Sequence, residues 1–215
     1  MSEPVVPTAP IRLYRHPLSG HAHRVELFLT LLGLPFETID VDLVHGEQRS
    51  PEFLARNPFG QVPVIQDGDL TLSDSNAILV YLALRYDSSQ RWLPRNPVVI
   101  AAVQRWLSVA AGALAFGPAA ARVNALFGRP ADPRCAEIAA TLFERMESHL
   151  AGRSFLAGDE VTIADLAMYA YVSHAPEGGI SLAPYPRVED WLARVEALEG
   201  FVGMVRTAPA LQATA

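Results

Sequence analysis

Along the first ninety residues the apolar positions switch repeatedly between two periods. Ile11 to Tyr14 is a short strand candidate. Val25, Phe28, Leu29 and Leu32 then recur at helical spacing, and Gly33 marks the stop. Phe36 to Val41 alternates as a second strand. Ser50-Pro51-Glu52 opens a short helix, with proline in the first turn, where its missing N–H has no consequence. Val62 to Gln66 and Leu70 to Leu72 read as strands joined by the turn Asp67-Gly68-Asp69. Ser73 to Tyr86 is helical, with Ile78, Tyr81 and Leu82 on one face. The order is β, α, β, α, β, β, α. A crossover helix requires its two strands to be parallel and a hairpin requires an antiparallel pair. The prediction is therefore a mixed four-stranded sheet covered by helices.

Beyond residue 97 only helical periods remain. Ile100 to Leu114 supplies one helix. Ala139, Leu142, Phe143, Met146 and Leu150 mark another. Thr162-Ile163-Ala164-Asp165 has the form of a capping box ahead of the apolar run Leu166 to Tyr171. Pro186 opens a last helix with Val188, Trp191, Leu192, Val195 and Leu198 inward. The expected division is a loose arm over 1–10, an α/β domain over 11–86, a polar, proline-containing linker over 87–97, an all-α bundle over 98–206 and a frayed tail over 207–215.

Composition narrows the function. Of 215 residues, 50% are hydrophobic and 19% charged, so the chain can build a core. The net charge of −6 lacks the basic face that a nucleic-acid partner requires. Cys135 is the only cysteine, which excludes an internal disulfide, a CxxC pair and a cysteine-rich zinc site, and suits a reducing, cytoplasmic compartment. The first ten residues lack the features of a secretory signal. The longest uncharged stretch, Trp106 to Ala121, is shorter than the roughly 20 residues of a membrane span. No membrane partner is expected.

Three local constellations have candidate chemistry. His16-Pro17-Leu18-Ser19-Gly20 places Ser19 at a helix start, where unpaired backbone N–H groups favour an anion. A hydroxyl there lowers the pKa of a bound thiol by stabilising its anion; two units down from the free value of about 8.5 leaves most of it ionised at neutral pH. Serine is also the ordinary helix N-cap, which needs no ligand. In Asn57-Pro58-Phe59-Gly60-Gln61-Val62-Pro63, Pro63 is a cis-proline candidate at a strand start, and the backbone of Val62 is open to an added extended peptide. The alternative is a proline that blocks sheet-edge aggregation. In Ser73-Asp74-Ser75-Asn76, Ser75 and the helix amides suit a carboxylate and Asp74 an ammonium, so an amino-acid head group would satisfy both. Ordinary capping is again the alternative. His16, His21, His23 and His45 lack the partners and spacing of a metal site, and no metal is expected.

In order, these segments resemble the glutathione transferase family. The resemblance runs through His16-Pro17-Leu18-Ser19, His23-Arg24-Val25, Gly46-Glu47-Gln48-Arg49, Pro51-Glu52-Phe53-Leu54 and Asn57 to Pro63. It continues with Asp67-Gly68-Asp69 and Asp74 to Ile78, and Thr162 to Asp165 extends it into the helical half. It is nearest the serine-type members, the plant phi and theta-like bacterial classes. The resemblance implies a thioredoxin-like N-terminal domain, a helical C-terminal domain that shapes an electrophile pocket, and a homodimer. It implies that glutathione is the cosubstrate. Ser19 would stabilise its thiolate, with His21 as a second candidate for that contact. Val62, before cis Pro63, would pair with the cysteinyl part. Asp74 and Ser75 would hold the γ-glutamyl end, and Gln48, Arg49 and Gln61 the glycyl end. Gln48, Arg49, Asp74 and Asn76 stand where members commonly have histidine, lysine, glutamate and arginine. Leu18, Ala113, Phe116 and Arg122 are the expected pocket walls.

The activity implied is detoxifying conjugation of glutathione to a small hydrophobic electrophile. Peroxidase, dehalogenase, isomerase and disulfide reductase reactions would use the same site, and a non-catalytic glutathione-binding stress or interaction protein is the alternative from another class.

Overall fold

The computed structural model describes residues 6–207, so part of the expected arm and nearly all of the expected tail lie outside the described residues. The chain divides into two compact units. One holds the described residues up to Arg95 together with Glu199–Val205; the other holds Asn96–Leu198 and the described residues from Arg206 onward. The expected helical domain, 98–206, thus differs at its end: 199–205 groups with the first unit.

In the first unit, β1 (Ile11–Arg15), α1 (Gly20–Leu31) and β2 (Phe36–Asp40) form the crossover. α2 (Pro51–Arg56), β3 (Val64–Asp67), β4 (Leu70–Ser73) and α3 (Ser75–Tyr86) follow. The sheet order is β2-β1-β3-β4, with β1 parallel to β2 and the other two pairings antiparallel. Two register facts fix the site. Val64 lies between Tyr14 and Ser73, and Arg15 lies opposite Asp40. The chain segments that leave β1, β2 and β4 and enter β3 therefore gather at one end of the sheet.

Alternation splits the core. Leu13 and Ile65 are fully buried on one face, and α1 and α3, which pack together, bury Val25, Phe28, Ile78, Leu79 and Leu82. On the other face Tyr14, Val41 and Val64 cluster with Phe53 of α2. α1 ends as the sequence indicates: Gly33 has φ 63°, its N–H reaches Thr30 O, and Leu34 N–H reaches Leu29 O, a closed C-terminal turn. Strand β3 begins at Val64 and not at Val62, because Pro63 has no N–H to give to a ladder. The hairpin is held to α3 from below: Asp67 accepts hydrogen bonds from Tyr81 (2.7 Å) and Tyr86 (2.5 Å).

The second unit is all-helical. α4 (Pro97–Val109) runs on through a π-helical segment, Ala110–Ala119, into α5 (Ala120–Leu126). The wide turns pass Pro118, which cannot donate to an α-helical ladder. This continuous helix of 30 residues is long and apolar enough by length and composition to cross a membrane, which the uncharged stretch alone does not indicate. It is a member of the bundle, packed on α6 (Pro133–His149) and α7 (Ile163–Ser173). A Cβ at Gly117 would lie 3.0 Å from Ala139 N, so the π segment meets α6 backbone to backbone. α7 is buried on every side, as a central helix must be. Its capping box is formed: Ala164 N–H donates to Thr162 Oγ1 and Thr162 N–H to Asp165 Oδ2 (2.9 Å). Asp165 Oδ1 also accepts from Leu156 N–H and Trp191 Nε1, both at 2.9 Å, which ties α7 to α8 (Pro186–Glu196).

Candidate functional site

Ser19 precedes α1 in extended conformation, and its Oγ accepts from Ala22 N–H at 3.2 Å. The ordinary cap and the proposed donor are compatible, because an accepting hydroxyl keeps its own proton to donate. The turn before it is built by Ser19 N–H on His16 O (2.9 Å) and Leu18 N–H on His16 Nδ1 (3.3 Å). His16 is thus an internal support of the loop. His21, in the first turn of α1, is half-buried. Burial, helped by the charge of Arg24, pulls its pKa down to about 3, so its imidazole is neutral.

The loop that enters β3 is organised by Asn57, which is 2% exposed. Its Nδ2 donates to Gln61 O (2.8 Å), its Oδ1 accepts from Phe59 N–H (3.1 Å) and its carbonyl from Gly60 N–H (3.0 Å). The Val62–Pro63 peptide is cis. Among the described residues, Val62 forms no backbone hydrogen bond, and it stands beside the first rung of β3. Gly60 has φ 60°, and a Cβ there would meet Gln48 O at 3.0 Å. Only glycine allows this close approach, which sets the turn Glu47–Arg49 against the loop before Gln61. The backbone of Gln48 thereby lies against the residue before Gln61. The Gln48 Oε1 is buried without a hydrogen-bond partner, while Arg49 and Gln61 are exposed.

Asp74 occupies the N-cap of α3 with φ 71°, and its Oδ1 accepts from Ala77 N–H at 2.8 Å. Ser75, 6% exposed, accepts at Oγ from Arg24 Nη1 (3.1 Å); the same nitrogen donates to Asn76 Oδ1 (2.8 Å).

Ser19, His21, Gln48, Arg49, Gln61, Val62, Pro63, Asp74 and Ser75 thus lie on chain segments that leave or enter strands at this one end of the sheet, all within one unit. Sequence reasoning gave no role to Asn57 or Arg24. For Arg24 a signal was present: it sits one turn before Phe28 on the inward face of α1, where an arginine must have buried partners. Two histidines lie outside the arrangement's chemistry. His23 Nε2 is 2.9 Å from Val202 O, and exposed His45 pairs with Asp42. Among the described residues no group of three or more metal-ligating side chains is placed to hold an ion.

Of the four expected pocket walls, Arg122 is corrected. It is 1% exposed and its Nε donates to Glu177 Oε2 at 2.6 Å, so it is a core ion pair. Ala113 lines a cavity of about 580 Å³ within the helical unit, with Trp106, Val109, Leu142, Arg145 and His149. Phe116 is exposed and Leu18 half-buried.

Two family models match the chain: the glutathione S-transferase N-terminal domain over residues 9–84 and the glutathione S-transferase C-terminal domain over residues 121–199. Glutathione S-transferase 3 of Zea mays is 36% identical over 214 residues, covering 94% of this chain and 96% of its own. A crystal structure of a glutathione S-transferase from Pseudomonas fluorescens superposes with a TM-score of 0.86 at 33% identity, over 92% of this chain and all of the other. A glutathione transferase homologue from Drosophila mojavensis, solved with bound glutathione, gives 0.81 at 27% identity, over 88% of each chain.

Proposed function

This chain belongs to the glutathione S-transferase family, and on that premise we propose that it binds glutathione at the sheet end and conjugates it to a small hydrophobic electrophile. Glutathione supplies the sulfur nucleophile; the chain supplies its ionisation and its position. Ser19 donates its hydroxyl hydrogen to the thiolate, and the first amides of α1 add their partial positive charge. The Val62 backbone pairs with the cysteinyl amide ahead of Pro63. The α3 amides and Ser75 take the α-carboxylate, and Asp74 takes the ammonium through the oxygen that Ala77 leaves free. Gln48, Gln61 and Arg49 hold the glycyl end, where Arg49 neutralises the second carboxylate.

The residues fit such a guest on an observation independent of family. An extended zwitterionic tripeptide needs an unspent hydroxyl, an unpaired strand edge and a helix N-terminus in sequence, and the Gln48 Oε1 is a buried acceptor still without a donor. The single observation that supports the reading most is Ser19 Oγ accepting from Ala22 N–H, which leaves its proton directed elsewhere. A homodimer, a cytoplasmic site of action and an absence of metal chemistry are part of the proposal.

Immobilised glutathione should retain the protein, and millimolar glutathione should raise its melting temperature. A chloronitrobenzene-type electrophile should be conjugated at a rate proportional to enzyme. Absence of both retention and thermal shift defeats the reading. Binding without turnover of a broad electrophile panel moves the protein to the non-catalytic alternative.

A further inference from the structure

We infer that Arg24 is a positioning residue that fixes the amino-acid-head site relative to the helix bearing Ser19; this rests on the glutathione reading above. Arg24 belongs to α1, five residues after Ser19, and is 1% exposed. Its Nη1 spans to the other helix of the layer and donates to Ser75 Oγ and Asn76 Oδ1, the first two residues of α3. A buried guanidinium is a stiff, planar connector whose charge is permanent, so it holds both acceptors in one geometry where a flexible chain would not. The effect falls on Ser75 in two ways. The hydroxyl orientation is set, because Oγ must turn a lone pair toward Arg24 and its hydrogen away from it. The backbone at the start of α3 is also pinned, and with it the amides that face a carboxylate. The adjacent Asp74 has φ 71°, a conformation that a non-glycine residue holds only when its surroundings impose it. Asn76 takes part as the second acceptor of Arg24, a role that is internal to the protein.

The expected signature separates positioning from chemistry. Arg24 serves the head group and not the sulfur, so its loss should weaken glutathione binding while the saturated reaction persists. The test measures glutathione KM, kcat and the pH midpoint of kcat for wild type, Arg24→Gln and Arg24→Lys. Affinity for glutathione and for cysteinylglycine, which lacks the γ-glutamyl head, is measured alongside. The expected result is a KM for glutathione raised about tenfold in Arg24→Gln, with kcat and its pH midpoint within about twofold of wild type. Cysteinylglycine affinity should be unchanged, and Arg24→Lys should recover part of the loss. Wild-type KM in Arg24→Gln overturns the inference, as does a loss confined to kcat or an equal loss of cysteinylglycine affinity. If Arg24→Gln does not fold, Asn76→Ala decides. A rise in KM at retained kcat supports the connection, and an unchanged KM refutes it. A wild-type protein that fails to bind glutathione overturns the proposed function and this inference together. Normal wild-type binding with indifferent variants overturns this inference alone.

Discussion

A hydroxyl that accepts one hydrogen bond and still has one to give is the smallest unit of this site. Ser19 is such a group, and its removal should be felt as a proton equilibrium. Stabilisation of the thiolate lowers the thiol pKa, so Ser19→Ala should move the alkaline midpoint of activity upward by about two units, toward the free value of about 8.5. At pH 7 turnover should fall roughly 10- to 50-fold, and above pH 9 the two proteins should converge, because the thiol is then ionised in both. A pH–rate profile at saturating glutathione checks this; parallel profiles at every pH would remove Ser19 from the role. The place of Ser19 at the N-cap of α1 was legible in the sequence because its evidence is local: a turn, a small hydroxyl residue and a helical period behind it. The Arg24 connection was not, since its partners lie 51 and 52 positions away and only the packing of α1 on α3 brings them close. Arg122 misled for the same reason. An arginine in an alanine-rich helix reads as a pocket wall until the carboxylate 55 residues later is seen beside it.

Elements show how far a period can be trusted. The strands, the hairpin and most helices follow from alternation and caps, and the formed capping box is a case where four residues specify both cap bonds. Asp165 extends that local signal into tertiary structure. It is fully buried, and burial raises its pKa against hydrogen bonds from Leu156, Thr162 and Trp191. Asp165→Ala leaves those donors without an acceptor and removes the reciprocal half of the capping box, a loss of about 3 kcal/mol or more, to be read as a lower denaturation midpoint. A change of less than about 1 kcal/mol would mean that water or a neighbour replaces the carboxylate. The π segment was not legible. Its alanines and glycines have no strong apolar period, and the widening at Pro118 depends on the approach to α6 that Gly117 permits.

At the scale of the molecule, the helical unit has an ionic centre. Glu177 accepts from Arg122 Nε, Thr207 N–H and Thr207 Oγ1, and its Oε1 is 2.6 Å from His174 Nδ1. Burial works to raise the Glu177 pKa, but those hydrogen bonds prevail and hold it at about 2, below its ordinary 4.5. Its contribution to stability is therefore complete above pH 4.5 and is lost as pH falls toward 2. His174 is lowered from its ordinary 6.5, chiefly by burial, so its contribution too is present above that value and fades on acidification. The melting temperature should decline from pH 7 to pH 3. In Glu177→Gln it should start lower, by an amount equivalent to about 3–5 kcal/mol, and depend less on acid. Thermal scans across that range check both; an equally steep acid dependence in the variant would place the titrating group elsewhere.

The bond between His23 Nε2 and Val202 O has a further consequence. Position 202 follows α8, while His23 is four residues from Ser19, in the opening turns of α1. A chain cut back to Leu198 would strip the imidazole of that carbonyl and remove the backbone at Gly200, where a Cβ would lie 4.0 Å from Leu31 Cδ2. Such a trimmed protein should melt lower and hold glutathione more weakly, although the deletion removes no residue assigned to ligand. Residues 199–205 act as a clasp on the opening helix of their unit.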